Sequence, residues 1–352
     1  MNGLQNTLKR IQGLDQQAIQ AIRVYEDTLT KPPGSLGVLE SIAAQLGGIT
    51  GQAFPEVAAP KAVVVMAADH GVVAEGVSAF PQEVTVQMVA NFCNGGAAIN
   101  VLARHAGADV VVVDVGVAAP IDHPQVISKK VRLGSANMAQ GPALTREEAV
   151  QALEVGIAVA GELIDRGYRL LATGEMGIGN TTASSAIVAA FTGQAAAAVT
   201  GRGTGLDAAA VGRKAAVIDR ALAVNRPDPA DPLDVLAKVG GLDIAGLAGL
   251  ILGAAARRVP VVIDGFISSA AALVAARLAP LASGYMIASH CSAEAAHRRL
   301  LELLGLKPLL ELEMRLGEGT GAVLAFGIID AALKTLREMA TFESAGVAKG
   351  EA

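Results

Sequence analysis

The stretch Arg315-Leu316-Gly317-Glu318-Gly319-Thr320-Gly321 holds one carboxylate between glycines, ahead of the apolar run Ala322 to Ile329. Glycines let the backbone approach a ligand closely and take unusual dihedrals, and the apolar run reads as a helix opening beside the loop. Glu318 is placed to work on a substrate; the alternative is that it only complements the positive end of that helix. A second cluster, Gly174-Glu175-Met176-Gly177-Ile178-Gly179-Asn180-Thr181-Thr182, joins a short strand to a helix over Ala183 to Phe191. Its glycines, with Asn180 and Thr181 at the helix start, offer N–H groups and hydroxyls to an anion such as a phosphate. It is neither a Walker loop nor a dinucleotide fingerprint, and an ordinary capped turn is the competing reading. Thr200-Gly201-Arg202-Gly203-Thr204-Gly205 then precedes a helix carrying Arg213 and Lys214, whose cations can reach the same anion.

Other chemistries find less support. His70, His105, His123, His290 and His297 include no His-x-x-x-His pair, and Cys93 and Cys291 form no Cys-x-x-Cys, so neither a metal nor a cofactor is expected. No serine sits in a Gly-x-Ser-x-Gly elbow.

These residues need a scaffold that brings them to one place. Short β-branched runs, Ala62 to Ala67, Asp109 to Val115, Arg169 to Ala172, Val259 to Ile263 and Tyr285 to Ala288, alternate with long Ala-rich helical stretches. That alternation predicts a parallel sheet with crossover helices. Leu309 to Leu312 is a weaker candidate strand. The runs are followed by Asp69-His70-Gly71, by Gly116 after Asp114, by Gly174-Glu175-Met176-Gly177, by Asp264-Gly265 and by Ser289-His290. Polar groups therefore gather outside the carboxyl ends of the strands, where open α/β sheets bind ligands. The first 50 residues read as helices interrupted at Lys31-Pro32-Pro33-Gly34-Ser35, and the polar tail from Glu343 to Ala352 is expected to fray.

Composition narrows the classes. The 352 residues carry a net charge of -5, 3% aromatic residues and no Trp, which leaves little for a nucleic acid to pair with or stack on. Hydrophobic residues make up 52%, yet the uncharged run Ile244 to Ala256 is far short of the roughly 20 residues of a membrane span and reads as a buried helix. Two cysteines and a polar start without a signal-peptide layout suit a reducing cytoplasm.

Taken together, Lys31-Pro32-Pro33-Gly34-Ser35-Leu36-Gly37, Ala68-Asp69-His70-Gly71-Val72, the cluster from Gly174 to Thr182, Lys238-Val239-Gly240-Gly241-Leu242-Asp243, Asp264-Gly265-Phe266, Ser289-His290-Cys291-Ser292-Ala293-Glu294 and Arg315-Leu316-Gly317-Glu318-Gly319 resemble the nicotinate-nucleotide:dimethylbenzimidazole phosphoribosyltransferase family of cobalamin nucleotide-loop assembly. The resemblance implies a large α/β catalytic domain over 61–321, with a parallel Rossmann-like sheet and crossover helices. It also implies a small helical domain built from both termini, 1–60 and 322–352, and a homodimer. The implied reaction moves phosphoribose from nicotinate mononucleotide to 5,6-dimethylbenzimidazole, giving α-ribazole 5'-phosphate and nicotinate.

By the same resemblance Glu318 is the general base and Glu175 the second catalytic carboxylate. Gly177, Gly179, Asn180, Thr181, Gly203 and Lys214 bind the donor phosphate and ribose, with Glu175, Asp243, Asp264 and Ser292 near the ribose and nicotinate. Ser78, Gln87 and Leu316 touch the base, with Phe80 and Met88 nearby. Two other readings stand beside this one: a nucleotide-dependent kinase or oxidoreductase using the same sheet edge, and a corrinoid-pathway carrier or sensor without turnover.

Overall fold

The computed structural model describes residues 3–56, 59–201, 203, 205 and 207–348. Three helices come first, α1 (Gly3–Arg10), α2 (Gln16–Glu26) and α3 (Val38–Thr50), and then β1 (Lys61–Ala68), whose eight residues are all buried. There follow α4 (Val84–Cys93), α5 (Ala98–Ala106), β2 (Ala108–Gly116), β3 (Val126–Ser128), α6 (Arg146–Asp165) and β4 (Leu170–Met176). Next are α7 (Asn180–Thr192), α8 (Ala196–Val199), α9 (Ala208–Asn225), α10 (Pro232–Val239), α11 (Leu242–Ala256) and β5 (Val261–Ile263). The chain closes with α12 (Phe266–Leu278), β6 (Met286–Ala288), α13 (His297–Leu304), α14 (Thr320–Glu338) and α15 (Phe342–Ala345).

The six strands form one sheet in the order β3-β2-β1-β4-β5-β6, parallel at every pairing. The chain leaves β1 in one direction to build β2 and β3 and in the other to build β4 onward, so the strand order reverses at β1 and β4. All five strands expected from β-branched runs are present. β3 is not foreseen in the sequence; it has three residues and none is buried, so it lacks an apolar run.

Leu309 to Leu312 is a correction, because only Leu310 bridges to His290. Pro308 removes a donor, and the segment lies along the loop after β6, where Cys291 N–H donates to Leu310 O at 2.9 Å and Ala293 N–H to Met314 O at 3.0 Å.

Ile244 to Ala256 lies within α11, where every residue from Leu242 to Ala255 is buried. α11 crosses α6 with the backbones in contact: a Cβ on Gly156 would fall 1.9 Å from Gly246 O, and one on Gly249 2.0 Å from Leu153 O. Among the described residues no helix is long and apolar enough to cross a membrane.

The terminal helices pack in two places. α1 lies against α6, with Leu4 N–H donating to Glu154 Oε1 at 3.0 Å. α2 and α3 instead share a separate small core with the far end of α14, made of Ile22, Ala43, Ala44 and Leu336. The tail is partly ordered: Thr341 caps α15, Leu29 bridges Thr341, and Phe342 N–H donates to Thr28 O at 2.9 Å. Residues 349–352 of the expected frayed tail lie outside the described residues.

Candidate functional site

The carboxyl ends of β4, β5 and β6 open onto a cavity of about 280 Å³ walled by the 315–318 loop, the first turns of α7 and α12, and α4. It lies outside the carboxyl ends of the strands, on the β4 side of the point where the strand order reverses.

Glu318 enters the cavity on a backbone that L-residues rarely adopt. Its φ is 63°, between Gly317 at 87° and Gly319 at 90°, and a non-glycine residue held in this region must be fixed by its surroundings. The surroundings are β4: a Cβ on Gly317 would sit 2.1 Å from Glu175 Oε1, and one on Gly174 2.5 Å from Glu318 O. The Glu318 side chain does not complement the helix that its loop opens. That N-terminus belongs to Asp264, which accepts from Ala322 N–H at 2.9 Å and Gly319 N–H at 3.3 Å. Glu318 Oε2 instead accepts from Ile99 N–H, in the first turn of α5, at 3.3 Å. Burial raises the Glu318 pKa above the usual carboxylate value; the Ile99 bond opposes this and the charge of Asp264 adds to it. A carboxyl moved toward neutrality suits a general base.

Glu175, near the end of β4, is 5% exposed. Burial first, and then the charges of Asp243 and Asp264, push its pKa up to about 8, so it carries a proton at neutral pH. The Asn180 amide donates to Glu175 Oε2 and also, at 3.3 Å, to Asp243 Oδ2. Asp243 in turn faces His70 Nε2 at 3.0 Å. Burial lowers the His70 pKa, but the adjoining Asp243 carboxylate outweighs it and the net direction is up. Gly177 and Gly179 wrap this pair: a Cβ on Gly177 would be 2.4 Å from Ala68 O, and one on Gly179 would be 3.4 Å from His70 Cβ. The glycine-rich turn therefore serves close packing as well as any ligand.

α7 begins at Gly179, which provides no side-chain cap; the Asn180 and Thr182 N–H groups donate to Gly177 O at 3.1 Å and Gly179 O at 2.9 Å, which leaves the Thr181 N–H at the positive helix end for an anion. Lys214 from α9, 1% exposed, reaches the same turn and donates to Thr181 Oγ1 at 2.7 Å. Burial pushes its pKa down to about 8, against the pull of Glu294. Arg315 Nη1 donates to Gly203 O at 3.0 Å, bringing a second cation to this end. Arg202 and Thr204 of the second glycine cluster lie outside the described residues.

Ser292 is held from behind by His297. Its N–H donates to His297 Nδ1 at 2.7 Å, so the other ring nitrogen carries the proton toward Ser269 Oγ, 2.8 Å away. Burial, with the nearby His290 and Arg298 charges, holds the His297 pKa down at about 3, so the ring is neutral.

Of the residues singled out from sequence, Glu175, Gly177, Asn180, Thr181 and Gly203 line the cavity, as do Asp264, Ser292, Leu316 and Glu318. Gly179, Lys214 and Asp243 stand behind that wall. Ser78 and Gln87 are not in the lining; Gln87 is exposed on α4 beside Met88, and Ser78 Oγ accepts from Phe80 N–H at 3.1 Å. Phe80 and Met88 do line it, with Val84, so the α4 side is apolar. Lys31 is remote, buried in an ion pair with Glu40 at 2.8 Å.

Sequence reasoning set His290 at this strand edge without a specific role, quoted Phe266, Glu294 and Arg315 in motifs without giving them a task, and missed Ile267 and Ser268 in the lining. Ile267 and Ser268 look like any start of an apolar helix.

A phosphoribosyltransferase family model matches residues 11–347. The nicotinate-nucleotide–dimethylbenzimidazole phosphoribosyltransferase of Chloroflexus aggregans is 62% identical over 350 residues, covering 99% of each chain. The protein of the same name from Geobacter metallireducens is 57% identical over 351 residues, again covering 99% of each. Among solved structures, the crystal structure of the Thermus thermophilus enzyme of that name superimposes with a TM-score of 0.91 at 49% identity, covering 96% of this chain and all of that one. With its parallel sheet, its glycine-flanked carboxylate and this similarity along nearly its full length, the chain belongs to the nicotinate-nucleotide–dimethylbenzimidazole phosphoribosyltransferase family.

Proposed function

We infer that the protein transfers phosphoribose from nicotinate mononucleotide to 5,6-dimethylbenzimidazole. The observation that carries the reading is one cavity with three kinds of wall: an uncapped helix start beside Lys214, an apolar face on α4 with Leu316, and Glu318 in the wall beside Leu316. The phosphate is assigned to the first, the flat acceptor base to the second, and the acceptor's proton to the third.

In this mechanism the C1'–N bond of the donor breaks and nicotinate leaves with the bonding pair. Its ring nitrogen loses the pyridinium charge, so departure needs no general acid. The ribose passes through an oxocarbenium-like state, as in glycoside cleavage. One benzimidazole nitrogen attacks C1', the ring becomes cationic, and the proton on its other nitrogen passes to Glu318. Glu175, protonated and tied to Asn180, is assigned as the group that orients the ribose without adding a second negative charge beside Glu318. Glu294 lies against Gly201 in the same wall and is assigned to the ribose hydroxyls.

The reading includes a homodimer, a cytoplasmic location suited to the free thiols of Cys93 and Cys291, and a small unit of α2, α3 and the end of α14. Incubation of pure protein with both substrates should yield α-ribazole 5'-phosphate by chromatography; no product would sink the reading. Sedimentation should give twice the chain mass.

A further inference from the structure

Two buried carboxyls share one amide beyond the end of β4. Asn180 Nδ2 donates to Glu175 Oε2 and, at 3.3 Å, to Asp243 Oδ2. Glu175 lines the cavity, whereas Asp243 is 0% exposed and lies behind the wall. Like charges bridged through a single nitrogen, away from water, do not both ionise, so one of the two holds a proton. Which one holds it depends on the neighbours.

The neighbours differ in sign. His70 Nε2 faces Asp243 Oδ1 at 3.0 Å, and the same oxygen accepts from Ile244 N–H at 2.9 Å. With Asn180 on its other oxygen, Asp243 has three partners that suit an ionised carboxylate, which only accepts. Glu175 has negative neighbours instead: after burial, the charges of Asp243, Asp264 and Glu318 all act to keep its proton on. Among the described residues no Lys or Arg pairs with either carboxyl. His70 is therefore the cation of this cluster. Burial opposes a charge on it, but Asp243 and then Asp69 outweigh burial.

The ring is also caged. A Cβ on Gly241 would fall 2.2 Å from His70 Cε1, one on Gly177 3.1 Å from Nε2 and one on Gly179 3.4 Å from Cβ. Packing this close leaves the imidazole no room to turn away from Asp243. Its Nδ1 is buried without a hydrogen-bond partner. A histidine that only filled the core would carry that cost for nothing, and the charge contact through the other nitrogen is what offsets it.

We propose that His70 is a positioning residue that decides which carboxyl carries the proton: it holds Asp243 ionised behind the wall and leaves the proton on Glu175 in the wall. It acts without touching substrate, because it is 1% exposed and outside the cavity lining. The consequence for catalysis rests on the phosphoribosyl-transfer reading above. A neutral Glu175 spares Glu318 a second negative neighbour, so the base ionises at lower pH than it would beside a carboxylate.

Infrared difference spectra at neutral pH locate the proton without turnover. Wild type should show the C=O stretch of a protonated carboxyl that Glu175→Gln removes. In His70→Asn the corresponding band should survive Glu175→Gln and vanish with Asp243→Asn. A band that still follows Glu175 in His70→Asn overturns the proposal. Should His70→Asn fail to fold, nitrogen NMR of histidine-labelled wild type decides: an imidazolium at His70 near neutral pH supports the proposal, and a neutral ring overturns it.

In turnover, His70→Asn should lower kcat by roughly 10²-fold, the scale for a disturbed positioning contact, and move the acid limb of kcat/KM to higher pH. Added to Glu175→Gln, the same substitution should move that limb no further. An equal move in both backgrounds, or none in either, counts against the assignment. Bands as expected in a protein that forms no ribazole phosphate would sink the reaction and keep the proton's place. Turnover with bands indifferent to His70 would sink the proposal alone.

Discussion

Glu318 Oε2 accepts from the Ile99 N–H at 3.3 Å, so the candidate base is steadied by a helix start that lies 219 residues away in sequence. This contact keeps the carboxylate aimed while burial holds its pKa above the ordinary value. The two effects oppose each other, and burial wins.

Glu318→Gln should keep the fold and donor binding and lower kcat by roughly 10²–10⁴-fold, the span for a lost general base. Steady-state rates with a melting curve decide the matter. Turnover within a few-fold of wild type would pass the role to Glu175 or Asp243.

Because Glu318 must be ionised to take a proton, wild-type kcat/KM should fall on the acid side, with a midpoint above the usual 4.5 for a glutamate. A pH–rate profile checks this. A midpoint at or below 4.5 would mean that burial does not govern this carboxyl.

Lys214→Ala should raise the KM for the mononucleotide far more than that for the base, since the ammonium stands at the α7 end of the cavity. Wild type should show the same weakening as pH rises past about 8, where the buried Lys214 loses its charge. Equal effects on both substrates would count against the placement.

Glu175 binds its proton more tightly in the folded protein, with a pKa of about 8 against 4.5. Between those values the native state holds a proton that the unfolded chain has lost, so this group lowers stability as pH rises from about 4.5 to 8 and adds no further change above. Glu175→Gln should remove that decline. Urea midpoints at pH 5, 7 and 9 should show the variant gaining on wild type; parallel curves would refute it.

The acceptor wall of Phe80, Val84, Met88 and Leu316 is apolar, and such walls discriminate weakly between similar shapes. Benzimidazole and its methyl derivatives should react with efficiencies within about 10–200-fold of one another. Adenine should do much worse, since its ring nitrogens and amino group would be buried without partners. Adenine matching dimethylbenzimidazole in competition would point to a more polar site.

The sheet and both glycine loops were legible because their signals are local: β-branched runs for β1, β2 and β5, and glycines around Glu175 and Glu318. What sets the site's electrostatics was not legible. Asp264 reads as a ligand-facing carboxylate after β5, yet it spends its oxygens on α14, 58 residues away. Glu318 reads in the sequence as matched to its own helix but meets α5. These pairings depend on which segments the fold brings together, and periodicity carries no record of that. Lys31, in a prominent motif, serves an ion pair with Glu40 at the edge of α3.

α14 runs for 19 residues, about 28 Å, from the Glu318 loop to Leu336 in the small core it shares with α2 and α3. Asp264 clamps one end, and the bridge between Leu29 and Thr341 lies just past the other. Between those ends Ala322, Val323, Ala325, Phe326 and Ile329 are buried in the main core, so α14 is a strut that joins the loop carrying the base to the packing of the two N-terminal helices, and substitutions at Ile22 or Leu336 act on the same rigid element that carries Glu318.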